Sequence, residues 1–177
     1  MSRLVITRKQ RYRIVGASLG LLIAAVVAVS ALGGARLTDE DGDLPTASFA
    51  LFDGGDATFG DFGGKPLVVN FWASWCPACV AELPEIQDAH ELYGDEVTIV
   101  GLANTDDRGA ATELAGDVGL TYTLADDPTG DLFRSLDLLA MPSTVFITAD
   151  GEIQEVFGGL LTESALAERI DDLIEAS

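Results

Sequence analysis

The chain has 177 residues, 48% of them hydrophobic and 22% charged, which allows a membrane segment plus one domain of ordinary size and excludes global disorder. Its 29 acidic residues against ten basic ones give a formal charge of −19, and no acidic residue precedes Asp39. From Leu37 onward only four basic residues offset all 29 acids, a formal −25, which excludes nucleic acid as a partner and fits either a basic protein partner or a high-salt habitat.

Residues 1–13 carry Arg3, Arg8, Lys9, Arg11 and Arg13 and form a basic N-terminus. Residues 14–35, IVGASLGLLIAAVVAVSALGGA, hold no charge over 22 positions, long enough as a helix to span a hydrocarbon core about 30 Å thick. They read as one N-terminal transmembrane helix, with residues 1–13 in the cytoplasm and the acidic remainder outside, by the positive-inside rule. A cleaved signal peptide is the alternative, since Gly33-Gly34-Ala35 offers small residues for cleavage, but the run exceeds the roughly 7 to 15 apolar residues of a signal. Residues 36–45, rich in Asp, Glu and Gly, read as an acidic linker, and residues 46–177 as the extracytoplasmic domain.

Within that domain Ser48 to Phe52 alternates like a short edge strand, and Asp53-Gly54-Gly55-Asp56 is a turn. Pro66 to Trp72 and Glu96 to Ala103 are continuous apolar runs, as in parallel strands covered on both faces, and the helical spacing of Cys79, Leu83, Ile86 and Tyr93 places a helix between them. Pro84 is expected to kink that helix. A helix over Arg108 to Val118, a short strand over Thr121 to Ala125 and a helix over Thr129 to Leu138 follow. Ser143 to Thr148 and Ile153 to Phe157 form a hairpin through Ala149-Asp150-Gly151, and Thr162 opens a last helix with Leu166, Ile170, Leu173 and Ile174 on one face. Strands alternating with helices imply an α/β domain with a central mixed sheet flanked by helices.

The chemistry concentrates in Phe71-Trp72-Ala73-Ser74-Trp75-Cys76-Pro77-Ala78-Cys79, where a strand becomes a helix. Pro77 suits the first helical position, which makes Cys76 the N-cap. A sulfur there meets unpaired N–H groups and the positive end of the helix dipole, and both stabilise a thiolate. Cys76 is therefore the expected attacking thiol and Cys79, one turn deeper, the resolving one. Two cysteines and a single histidine cannot fill a four-ligand zinc site, so no metal is expected, nor any cofactor besides the cysteine pair itself. Trp75, beside the reactive sulfur, is a candidate apolar rim for substrate, whereas Trp72 reads as core and His90 is assigned no role.

The segment FWASWCPACVAELP resembles the active-site region of the TlpA/ResA-like membrane-anchored thioredoxins, the bacterial extracytoplasmic thiol-disulfide oxidoreductases. The resemblance extends from about Leu44 to the C-terminus and takes in Glu82, Pro84 and Met141-Pro142-Ser143-Thr144. It implies a thioredoxin-like fold with a short hairpin over Ser48 to Phe59. It also implies a Glu82 that tunes the cysteine pair, and a cis Met141-Pro142 bond that lets the Met141 backbone pair with substrate. The implied substrate is a disulfide-bearing protein, with apocytochrome c as one instance. A transmembrane carrier resembling DsbD or CcdA would return electrons. A solvated Glu82 is the alternative for that residue. Two other functions compete: a thioredoxin-like module that binds metal or a heme protein without turnover, and a peroxidase of the peroxiredoxin kind. The peroxidase lacks its threonine three residues before the cysteine, where Ala73 stands.

Overall fold

The structure, a computed structural model, describes residues 44–177, so the proposed basic N-terminus, the transmembrane segment and all but the last two residues of the linker lie outside the described residues. The seven strands of the described sheet are β1 (Phe49–Leu51), β2 (Asp56–Ala57), β3 (Leu67–Trp72), β4 (Thr98–Asn104), β5 (Thr123–Asp127), β6 (Ser143–Ile147) and β7 (Ile153–Gly158). They form one mixed sheet in the order β2-β1-β5-β4-β3-β6-β7. Helices α1 (Pro77–Tyr93), α2 (Arg108–Val118), α3 (Asp131–Ser135) and α4 (Glu163–Glu175) flank it.

β3 pairs in parallel with β4 and antiparallel with β6, and all six of its residues are buried. Strand geometry sends alternate side chains to opposite faces. Leu67, Val69 and Phe71 enter one core with Val100, Leu102, Leu132 and Val145. Val68 points the other way, into a core with Ile86 of α1 and Leu166, Ile170 and Leu173 of α4. Full burial of each such side chain contributes about 1.5–3 kcal/mol, which is why the run is apolar on both faces. Trp72 continues the second face and packs with Cys79, Leu83, Ala111 and Ala115 under α1 and α2. The indole comes close to β4 at Gly101, where an added Cβ would lie 3.0 Å from Trp72 Nε1 and 2.9 Å from Tyr122 Cε2, so only glycine fits.

The expected thioredoxin-like arrangement is present: a β1–β2 hairpin, then the parallel β3–α1–β4 unit, then the β6–β7 hairpin and α4. α1 runs unbroken through Pro84. Two boundaries differ from the sequence reading. β5 reaches Asp127 instead of ending at Ala125, because its last two residues pair with Ala103 and Asn104. The helix expected over Thr129 to Leu138 shrinks to Asp131–Ser135. Asp127 explains that late start, since its carboxylate accepts the N–H groups of Leu132 at 3.3 Å and Phe133 at 2.9 Å, and Gly130 turns through φ 70° before the first helical residue.

Candidate active site

Beyond β3 the residues Ala73-Ser74-Trp75 carry the chain into α1. Cys76 has extended backbone, its carbonyl accepts the N–H of Val80 at 3.0 Å, and Pro77 occupies the first helical position. Cys76 is thus the N-cap, and its sulfur accepts the N–H of Cys79 at 3.2 Å, one of the donors that a helix start leaves unpaired. Cys76 and Cys79 are joined as a disulfide. Cys79 is wholly buried while Cys76 is 6% exposed, so Cys76 is the sulfur that an incoming thiolate or disulfide meets first.

Cys76 opens on an apolar groove of about 510 Å³ whose walls include Trp75, Pro77, Phe133, Leu139 and Met141. Trp75 is 59% exposed and Leu139 is 96% exposed. Large apolar side chains held in water beside a reactive sulfur mark a surface made to be covered by a partner. The Met141–Pro142 peptide bond is cis, and Pro142 is buried where the chain enters β6. The structure therefore gathers Trp75, Cys76, Pro77 and Met141 around one groove. Cys79 and Pro142 lie immediately behind it.

Glu82 is not a solvated helix residue: it is 0% exposed. Its Oε1 accepts the N–H of Leu161 at 2.6 Å and its Oε2 accepts the side-chain amide of Asn70 at 3.0 Å. Burial raises its pKa above the usual carboxylate range, and the two donors from Leu161 and Asn70 oppose that rise. The Asn70 amide nitrogen also donates to Thr144 Oγ1 at 3.1 Å, while Asn70 Oδ1 is buried without a partner. Tyr122 has a buried hydroxyl without a partner, and burial followed by the charge of Glu82 pushes its pKa up. His90 packs edge-on against Tyr122 with 5.9 Å between rings and is not part of the groove.

The Redoxin family model matches residues 40–170 of this chain. The chain belongs to the Redoxin family. It is similar to the thiol-disulfide oxidoreductase ResA of Oceanobacillus iheyensis, with 34% identity over 116 residues, or 64% of this chain and 59% of that protein. It is also similar to the thiol:disulfide interchange protein DsbE of Vibrio cholerae, with 39% identity over 94 residues, or 52% of this chain and 50% of that protein. The matches thus span only 59% and 50% of these two relatives. Among solved structures, a secreted Mycobacterium tuberculosis disulfide oxidoreductase homologous to E. coli DsbE superposes with a TM-score of 0.67 and 27% identity, covering 72% of this chain and 96% of that one. These relatives bear out the TlpA/ResA-type resemblance carried by FWASWCPACVAELP.

Sequence reasoning passed over Asn70, Leu161 and Thr144, the residues that hold Glu82 in place. Asn70 left a signal, as the one polar residue in a six-residue apolar strand. Leu161 left none, because it contributes only its backbone N–H. Among the described residues no group of three or more His, Cys, Asp or Glu side chains is arranged to hold a metal.

Proposed function

We propose that this protein reduces protein disulfides outside the cytoplasm by thiol-disulfide exchange through Cys76 and Cys79. The observation that carries the reading is the disulfide at the start of α1, with Cys76 facing the apolar groove and Cys79 buried behind it. In the reduced protein the Cys76 thiolate attacks one sulfur of a substrate disulfide. An S–S bond forms between Cys76 and substrate, and the other substrate sulfur leaves as a thiolate. Cys79 then attacks Cys76 Sγ, which closes the disulfide seen in the structure and releases the second substrate sulfur. Two electrons have passed to the substrate, and a transmembrane dithiol carrier resembling DsbD or CcdA would return them to this protein. Apocytochrome c is the proposed substrate, a reading that rests on the resemblance to TlpA/ResA-like proteins.

The direction of electron flow follows from electrostatics. A strong oxidant needs a deeply stabilised thiolate, and a carboxylate buried one helical turn beyond Cys79 works against a second negative charge. The potential is therefore expected nearer to thioredoxin's, about −270 mV, than to DsbA's, about −120 mV. Equilibration of the purified full chain with dithiothreitol buffers measures it. A value above about −180 mV, in the range of isomerases and oxidants, would overturn the reductase reading.

Charge asymmetry supports the location: the basic residues of 1–13 precede an uncharged run of 22 residues, and every acid follows it. Protease added to spheroplasts is expected to digest residues 46–177 while the domain sediments with membranes in undigested cells. Recovery of a soluble mature protein beginning near Arg36 would show a cleaved signal instead.

A further inference from the structure

Trp75 poses a problem that burial does not solve. Its ring is 59% exposed, so packing alone leaves its rotamer free, although it walls the groove beside Cys76. The loop after β4 supplies what packing lacks. Asp106 Oδ2 accepts the N–H of Ser74 at 2.5 Å, and its Oδ1 accepts the hydroxyl of Ser74 at 2.8 Å and the N–H of Asp107 at 2.8 Å. One residue earlier, the carbonyl of Thr105 accepts the indole N–H of Trp75 at 3.2 Å. That carbonyl is aimed by a residue in the left-handed region, φ 49°, whose own N–H is tied to the Asp127 carbonyl at 2.9 Å. Arg108, two residues on, is committed elsewhere: it pairs with Asp126 at 2.6 Å, donates to the Leu51 carbonyl at 3.0 Å and lies over the Phe52 ring. The Asp106 carboxylate is therefore spent on gripping the turn that presents Trp75.

We infer that Asp106 is a positioning residue: together with the Thr105 carbonyl it clamps the Ser74–Trp75 turn, so that Trp75 is already fixed as a docking wall when a polypeptide disulfide arrives. The inference rests on the exchange function proposed above. A free side chain that must be ordered on docking lowers affinity by about two- to tenfold, and the clamp removes that loss in advance. Asp106→Ala in the full chain is expected to raise KM for insulin, used as the polypeptide disulfide probe, by about two- to tenfold with kcat unchanged. Asp106→Asn should restore KM, because its amide can still accept the Ser74 N–H and can donate to the Ser74 hydroxyl. Trp75→Ala should raise KM by itself, and adding Asp106→Ala to it should change nothing further, since the clamp acts through that ring. Additive effects, an unchanged KM in Asp106→Ala, or an Asp106→Asn as impaired as the alanine variant would each overturn the inference. Should Asp106→Ala fail to fold, Ser74→Ala removes only the hydroxyl leg and must shift KM in the same direction. A wild-type chain unable to reduce insulin would sink the exchange reading instead. In that case faster local motion of Trp75 in Asp106→Ala, read as tryptophan emission anisotropy, still decides the clamp without any turnover.

Discussion

Replacing Cys79 with serine is expected to accumulate a covalent adduct between Cys76 and the substrate, whereas replacing Cys76 with serine is expected to abolish exchange and trap nothing. The asymmetry follows from the helix start. Cys76 is the sulfur at the groove, and as N-cap it meets the N–H of Cys79 and the positive end of the α1 dipole, so its thiolate is the better stabilised of the two. Cys79 is wholly buried, so its only route to a substrate sulfur passes through Cys76. In Cys79→Ser the mixed disulfide has no internal thiol to resolve it and persists until an external thiol enters. In Cys76→Ser turnover falls to the uncatalysed background, because the remaining thiol cannot reach the substrate. Non-reducing gels of the full chain incubated with insulin, followed by mass spectrometry of the adduct, distinguish the two variants. An adduct on Cys79 in Cys76→Ser, with none in Cys79→Ser, would reverse the assigned roles.

How much of this was legible in the sequence depends on how local the cause is. The N-cap at Cys76 with Pro77 behind it, and α2 over Arg108–Val118, were readable because caps, prolines and spacing act within one turn. The α3 boundary was not readable, because it depends on the Asp127 carboxylate reaching forward to Leu132 and Phe133, a choice that Asp127 makes only once β5 has extended to include it. The groove was half legible. Trp75, Cys76 and Pro77 are contiguous, but Phe133, Leu139 and Met141 come from far along the chain and meet them only because β6 pairs with β3. The surroundings of Glu82 were the least legible. Spacing along α1 allowed either a buried or a solvated glutamate, and the decision came from Asn70 on β3 and the Leu161 N–H, 12 and 79 residues distant. Asp106 lies 32 residues from Ser74 and reads in sequence as one acid among 29.

Glu82→Gln is expected to make the protein more oxidising and to remove a pH dependence from its stability. Burial favours the protonated carboxyl, so the folded pKa lies above the unfolded value of about 4.3. The folded state then holds more protons than the unfolded state between those two values, and this group's contribution to stability falls as pH rises through that window. Below about pH 4.3 the penalty is absent; above the folded pKa it is complete. Glutamine carries no charge at any pH, so the difference in unfolding free energy between variant and oxidised wild type, measured in urea across that range, should grow in the variant's favour as pH rises and then level off. The site can accept the amide: glutamine Oε1 can still take the Leu161 N–H. The partnerless Oδ1 of Asn70 becomes available to the new N–H₂ once the Asn70 amide turns over. The same lost charge acts on the cysteines. Reduction adds thiolate character near Glu82, and removing a like charge stabilises the reduced form. The potential should therefore rise, by about 30 mV for each 1.4 kcal/mol of repulsion relieved in this two-electron couple. A potential that stayed fixed or fell in Glu82→Gln, with the oxidised variant folded, would show that the buried carboxylate serves the packing around Leu161 and Asn70 and leaves the disulfide untouched.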